Sequence, residues 1–169
     1  MEDSRSFEVI IAGAGPAGLQ AAIAAAERGA SVLVFDKKTT IGAPVRCGEF
    51  FPCKEEMLDL LPGSRDFAHL FEMPPDAITN TCETLRMFSP HGKCWEFPFR
   101  AHVLDRVVLE QHMAKEARKL GAEIRLGRSV RVFESDSKIR VGASEQESFE
   151  AQPPAVTMRF RHLCAAYRR

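Results

Sequence analysis

The sequence has no excess of either charge: 23 Lys and Arg balance 23 Asp and Glu in 169 residues. That balance excludes the strongly basic composition of a nucleic-acid-binding module. No CxxC pair occurs among the five cysteines, Cys47, Cys53, Cys82, Cys94 and Cys164. An odd count without paired spacing speaks against a disulfide framework and predicts free thiols in a reducing, cytoplasmic compartment. The start of the chain, Met1 to Ser6, is polar and mixed in charge, so it does not read as a signal peptide. No long apolar run is unbroken, because Val9–Ala26 contains three glycines and Pro16, which sets it apart from a membrane span. The histidines are scattered and none stands at ligand spacing from a cysteine or acid, so no metal site is expected. A serine nucleophile elbow is also missing. With 45% hydrophobic and 27% charged residues, the chain has the composition and length of one soluble globular domain.

What is present is concentrated in the first forty residues. Phe7–Ala12 is a short apolar run rich in β-branched residues and reads as a buried strand. Gly13-Ala14-Gly15-Pro16-Ala17-Gly18 follows at once, and then an Ala-rich stretch, Leu19 to Arg28, predicts a helix closed by Gly29. Ser31–Phe35 is a second strand, ended by Asp36. Each part has a physical role in holding a dinucleotide. Gly13 permits the tight turn, Gly15 lets a pyrophosphate approach the backbone, and Gly18 lets helix and strand pack closely. The helix N-terminus offers unpaired N–H groups and a positive dipole end to the phosphates. Asp36, 18 residues beyond Gly18, stands where a carboxylate accepts bonds from ribose hydroxyls. A carboxylate there repels a 2′-phosphate and disfavours NADP, an argument softened by Lys37 and Lys38. FAD and NAD both stay open on this motif.

The run Ile41-Gly42-Ala43-Pro44-Val45-Arg46-Cys47-Gly48-Glu49 then follows. Coming after a dinucleotide βαβ unit, it resembles the geranylgeranyl reductase family of flavoproteins. Pro90, Trp95, Phe97 and Pro98 match the family's substrate-side Trp-x-Phe-Pro motif, with Lys93 where the family carries a tyrosine. Val103-Leu104-Asp105-Arg106 is a third match and opens a helix expected to reach about Leu120, with Leu109, Met113, Ala117 and Leu120 on one face. The resemblance implies an α/β fold, a Rossmann-like FAD-binding domain of the aromatic hydroxylase type. It also implies FAD as cofactor and reduction of carbon–carbon double bonds in isoprenoid chains of lipids or their precursors. A flavin monooxygenase or halogenase shares the fold and is the alternative, as is an inactive nucleotide-binding remnant.

The resemblance places Gly13, Gly15, Pro16, Ala17 and Gly18, with Asp36 and Lys37, on the adenosine and pyrophosphate end of FAD. Arg46, Cys47, Gly48, Arg106 and Val130 complete the cofactor set. Cys47 is also the candidate catalytic residue, and Trp95 and Phe97 the candidate substrate contacts. An isoprenoid lipid is the implied substrate, and an electron donor is implied but not specified. No nucleic-acid partner or metal is expected, and no transmembrane segment, though peripheral contact with a membrane remains open.

Two further expectations concern organisation. Residues 1–150 read as the N-terminal part of the FAD domain, with a two-layer insertion near residues 50–100 on the substrate side. Seven of the twelve phenylalanines lie between Phe50 and Phe99, and they read as core beneath irregular loops more readily than as an isoprenoid wall. Ala122–Leu126, Ser129–Glu134 and Lys138–Val141 read as short strands, which the family would build into a parallel strand and a β-meander. Residues 151–169 hold four arginines and no acid, and Pro153-Pro154 with them. They read as an atypical basic tail, by the simplest account a truncated and frameshifted product, with a genuine basic tail for an anionic membrane surface as the alternative, and the family's later Gly-Asp-Ala-like segment does not occur.

Overall fold

The computed structural model describes residues 6–45, 49–135, 138–142 and 148–159. They form two compact units, residues 1–43 with 110–169, and residues 44–109.

The first unit begins as the sequence predicts. Strand β1 is Phe7–Ala12, helix α1 is Pro16–Ala26 and strand β2 is Val32–Phe35. The helix starts three residues before Leu19 because Pro16 occupies its first turn, where a missing N–H costs nothing. It closes through Gly29, whose φ of +80° only glycine adopts freely and whose N–H donates to the Ala26 carbonyl.

β1 and β2 pair in parallel, with Ile10 beside Leu33 and Ile11 beside Val34. Both strands are covered on both faces, which is why they read as continuous apolar runs rather than alternating ones. On one face Ile11, Val32 and Val34 pack with Leu19 and Ala22 of α1 and with Ala114 and Ala117 of helix α3, Arg106–Lys119. On the other face Phe7, Ile10, Leu33, Phe35 and Val141 form a second cluster.

Strand β6, Glu123–Arg125, pairs in parallel with β2. β7 (Arg131–Ser135), β8 (Lys138–Gly142) and β9 (Ser148–Arg159) form an antiparallel meander. The sheet order is β6-β2-β1-β9-β8-β7. The three short strands expected after α3 are therefore present, each within a few residues of its expected limits.

The expected boundary at residue 150 falls inside β9. Its first residues pair with β8, and from Ala151 to Arg159 it pairs in parallel with β1. Between Phe7 and Val9 the register jumps from Ala151 to Val156. Pro153 and Pro154 lie in that jump, where their missing N–H groups break no ladder bond. The segment that looked foreign by composition thus takes a central place in the sheet, next to β1. Residues beyond 159 lie outside those described.

α3 ends at Lys119, and Gly121 with φ +96° turns the chain. Leu109, Ala114 and Ala117 are buried and Met113 partly so, but Leu120 is exposed because it lies past the last helical residue. The expected apolar face is shifted accordingly, with Ala114 in place of Leu120.

The second unit holds β3 (Phe50–Pro52), α2 (Lys54–Leu60), 3-10 turns over Pro62–Phe71 and Pro75–Ala77, β4 (Ile78–Phe88) and β5 (Cys94–Leu104). The strands form one antiparallel sheet in the order β3-β5-β4, and α2 lies against β3 and β5. The helix and the sheet make two layers. None of the unit's seven phenylalanines is fully buried, however, and Phe51, Phe71 and Phe99 are half-buried. Phe50, Phe67, Phe88 and Phe97 are all exposed.

The same unit supplies the cap of α3. Asp105 Oδ1 accepts the N–H groups of Val107 at 2.9 Å and Val108 at 3.0 Å. Replacing Asp105 by Ala should cost about 1–2 kcal/mol, the usual effect of losing an N-cap acceptor. Chemical denaturation checks it, and a loss below about 0.5 kcal/mol would show that the cap is redundant.

Candidate nucleotide-binding site

The site is built where β1 ends and α1 begins. Gly15 is the N-cap of α1, with extended backbone (φ −88°, ψ −178°) and no side-chain cap bond. Its carbonyl accepts the Leu19 N–H at 2.9 Å, so the helix is wound tightly from its first turn. The first-turn N–H groups have no intrahelical acceptor, and no acidic side chain occupies that turn. The positive end of the helix is left for an anion.

The three glycines have distinct geometry. Gly13 has φ +121°, a turn that a side chain would strain, and its N–H donates to Phe35 O at 2.7 Å. A Cβ on Gly15 would meet nothing within 4 Å. A Cβ on Gly18 would lie 1.8 Å from the Gly13 carbonyl oxygen. The first and third glycines therefore serve the fold. The second leaves open space beside a helix N-terminus, the shape that a pyrophosphate group requires. The residues present fit a dinucleotide.

The expected change is specific. Gly15→Ala should leave stability within about 1 kcal/mol of wild type, the ordinary range for a glycine-to-alanine change without contacts. It should lower ADP affinity at least about tenfold, by filling the phosphate's path. Calorimetry against ADP with a parallel melt measures both. Unchanged ADP affinity would remove Gly15 from the phosphate path.

Asp36 is partly buried at the end of β2. Its Oδ2 accepts the Ala14 N–H at 2.7 Å and its Oδ1 accepts the Lys38 N–H at 2.8 Å. Lys37 beside it is exposed. Pro16 is partly buried and Ala17 exposed at the helix start. Val130 is partly buried and packs against the Phe7, Ile10, Leu33 and Phe35 cluster.

The remaining sequence candidates are not gathered at this turn by the described geometry. Arg46, Cys47 and Gly48 lie outside the described residues. Glu49, which closes that motif, has φ +60°, a left-handed conformation uncommon outside glycine, and its carbonyl accepts the Leu104 N–H. Arg106 is partly buried at the first position of α3. A cation there runs against the helix dipole, which local stability does not favour. Trp95 and Phe97 are exposed on β5, with Lys93 Nζ 4.9 Å from the centre of the Trp95 ring. Lys93 is thus held in a cation–π contact.

One group of side chains escaped the sequence reading. Cys53 Sγ lies 3.4 Å from His102 Nε2, and His102 Nδ1 lies 3.0 Å from Thr81 Oγ1. Burial pushes the Cys53 thiol up, against the lowering effect of Arg100. The thiol form is therefore favoured, and the contact reads as a structural tie between β3, β4 and β5. Nothing in the sequence pointed to it, because Cys53 and His102 are 49 positions apart. Among the described residues no three His, Cys, Asp or Glu side chains are grouped to hold a metal.

This geometry defines a class: a Rossmann-like dinucleotide-binding domain. Residues 8–45 match the family model of the FAD dependent oxidoreductases, the segment that carries β1, α1, β2 and Asp36. Within that class the chain resembles the N-terminal part of the geranylgeranyl reductases. It is 34% identical over 126 residues to a digeranylgeranylglycerophospholipid reductase of Methanocella arvoryzae, covering 71% of this chain and 29% of that one. It is 40% identical over 119 residues to an uncharacterized protein in the nifH2 5′ region of Methanosarcina barkeri, covering 70% of this chain and 64% of that one. A geranylgeranyl bacteriochlorophyll reductase-like structure from Thermoplasma acidophilum superposes with a TM-score of 0.69 at 24% identity. That superposition covers 90% of this chain and 39% of the other, and it shows the shared fold. The chain thus spans under a third of the first relative and under two thirds of the second.

Proposed function

We propose that this chain provides the nucleotide-holding part of an FAD-dependent reductase that saturates carbon–carbon double bonds of isoprenoid lipid chains. The observation that carries the reading is the uncapped N-terminus of α1 behind Gly15, beside the carboxylate of Asp36. The similarity to a digeranylgeranylglycerophospholipid reductase supports the substrate class.

In this reading the backbone of Gly13–Gly18 and the first turn of α1 hold the pyrophosphate. Asp36 accepts from the ribose hydroxyls, and Lys37 lies beside it. Arg46, Gly48 and Arg106 hold further parts of FAD, and Val130 borders the adenosine end. Bound FAD supplies the hydride chemistry. Cys47 is the candidate catalytic residue toward the reacting ring and substrate. Trp95 and Phe97, in the inserted unit over residues 44–109, border the isoprenoid chain. An electron donor returns the cofactor to its reduced form. The enzyme works in the cytoplasm, in peripheral contact with the membrane that holds its lipid. No helix among the described residues is long and apolar enough to cross a membrane.

Calorimetry on the full chain with ADP and with FAD tests the nucleotide reading. Saturable heat from ADP, displaced by FAD, is the expected result. The absence of heat from either ligand would refute it. Hydrogen added to a geranylgeranyl lipid, detected by mass spectrometry with a chemical reductant present, tests the reaction.

A further inference from the structure

The Gly13–Gly15 turn is fixed from outside itself. Gly13 N–H is held by the Phe35 carbonyl, and the next N–H, that of Ala14, is held by a side chain, Asp36 Oδ2, at 2.7 Å. The other oxygen of that carboxylate holds the Lys38 N–H at 2.8 Å. The backbone of Asp36 is tied as well: its N–H donates to Arg125 O at 3.0 Å, and its carbonyl accepts from Arg128 N–H at 2.9 Å. Asp36 is therefore anchored by the end of β6 and its following turn, and it passes that anchorage to the glycine turn. Ala14 is buried, so its N–H cannot exchange the carboxylate for bulk water without moving the turn.

We infer that Asp36 is a positioning residue for the phosphate turn, in addition to the ribose contact proposed above. The inference rests on that nucleotide reading. The two roles are compatible, because each carboxylate oxygen spends one lone pair on a backbone N–H and keeps another for a hydroxyl. The positioning role sets a requirement that ribose recognition does not. An amide at this position still pairs with hydroxyls, but it presents an NH2 group to one of two backbone N–H donors. One of those donors is then left without an acceptor.

The test uses the full chain, Asp36→Asn and Asp36→Ala, with two probes: ADP, and 2′,3′-dideoxy-ADP, which lacks both ribose hydroxyls. Both variants should bind the dideoxy probe about tenfold or more weakly than wild type, the effect of losing a charge-assisted bond that holds the turn. Amide hydrogen exchange should show lost protection at both Ala14 and Lys38 in Asp36→Ala and at one of the two in Asp36→Asn, with Val32–Phe35 still protected. General destabilisation would instead lower protection across β2. Dideoxy-ADP binding at wild-type strength in both variants, with only ADP weakened, would confine Asp36 to the ribose and overturn the inference. Unchanged exchange at Ala14 in Asp36→Ala would overturn it as well. Failure of wild type to bind either probe refutes the nucleotide reading instead, while the exchange at Ala14 still decides whether Asp36 holds the turn.

Discussion

Gly18→Ala should unfold or severely loosen the chain. The added methyl would lie 1.8 Å from the Gly13 carbonyl oxygen, 3.0 Å from the Gly13 carbonyl carbon and 3.3 Å from Ile11 Cγ2. The first two obstacles are backbone, and neither rotates away. Gly13 O sits in the turn that joins β1 to α1, so relief requires moving the helix off the strand. That would open the cluster of Ile11, Leu19, Ala22 and Val34. Overpacking a tight core costs about 1–3 kcal/mol, and a backbone clash this close belongs at or beyond the top of that range. A small domain whose whole stability is about 5–15 kcal/mol feels such a loss as a large fall in melting temperature. ADP binding should disappear with it, since the turn and the helix N-terminus move together. Circular dichroism melts and calorimetry read both. A variant with wild-type melting temperature would show that β1 and α1 do not approach this closely. Gly15→Ala, with its open Cβ space, is the matched control.

Phe35→Ala should cost about 3–5 kcal/mol, the range for removing a buried aromatic ring. Phe35 is 3% exposed and faces the second cluster, where its ring lies 5.8 Å from that of Phe149. Phe149 in turn meets Phe7 edge-on at 6.2 Å and carries the Arg125 guanidinium over its face at 4.4 Å. Cutting the ring from Phe35 opens a cavity between β2 and the meander and leaves Phe149 without one of its two aromatic neighbours. The backbone bond from Gly13 N–H to Phe35 O survives the change, so the loss should appear in stability before it appears in ligand affinity. Urea denaturation measures the loss, and ADP titration at low temperature measures the affinity. A loss below about 1 kcal/mol would mean that the meander repacks freely against β2, as a poorly packed face does.

The nucleotide unit was legible because its signals are local. Gly13, Gly15 and Gly18 act within a few residues of one another, Pro16 starts a helix by its own ring geometry, and the run Val32–Phe35 is buried on both faces and reads as such. The inserted unit was less legible. Its phenylalanines read as core by residue type, yet burial depends on what packs against them after folding, and Phe50, Phe67, Phe88 and Phe97 stay exposed. Cys53, His102 and Thr81 come together only after β3, β4 and β5 pair, which no spacing along the chain announces.

By itself, the sequence determined the βαβ unit, the dinucleotide motif and the strands after α3. Those depend on short-range backbone preferences and on apolar periodicity, which neighbouring residues set. Only the tertiary structure decided that residues 151–159 pair with β1. Strand pairing is a long-range choice: an exposed edge and an apolar face recruit the segment, and a jump in register accommodates Pro153-Pro154. Tertiary structure also decided what Asp36 holds. Its place at the end of β2 can be read from the chain, but the Ala14 N–H reaches its carboxylate only because β1 and β2 lie side by side and bring the two turns together.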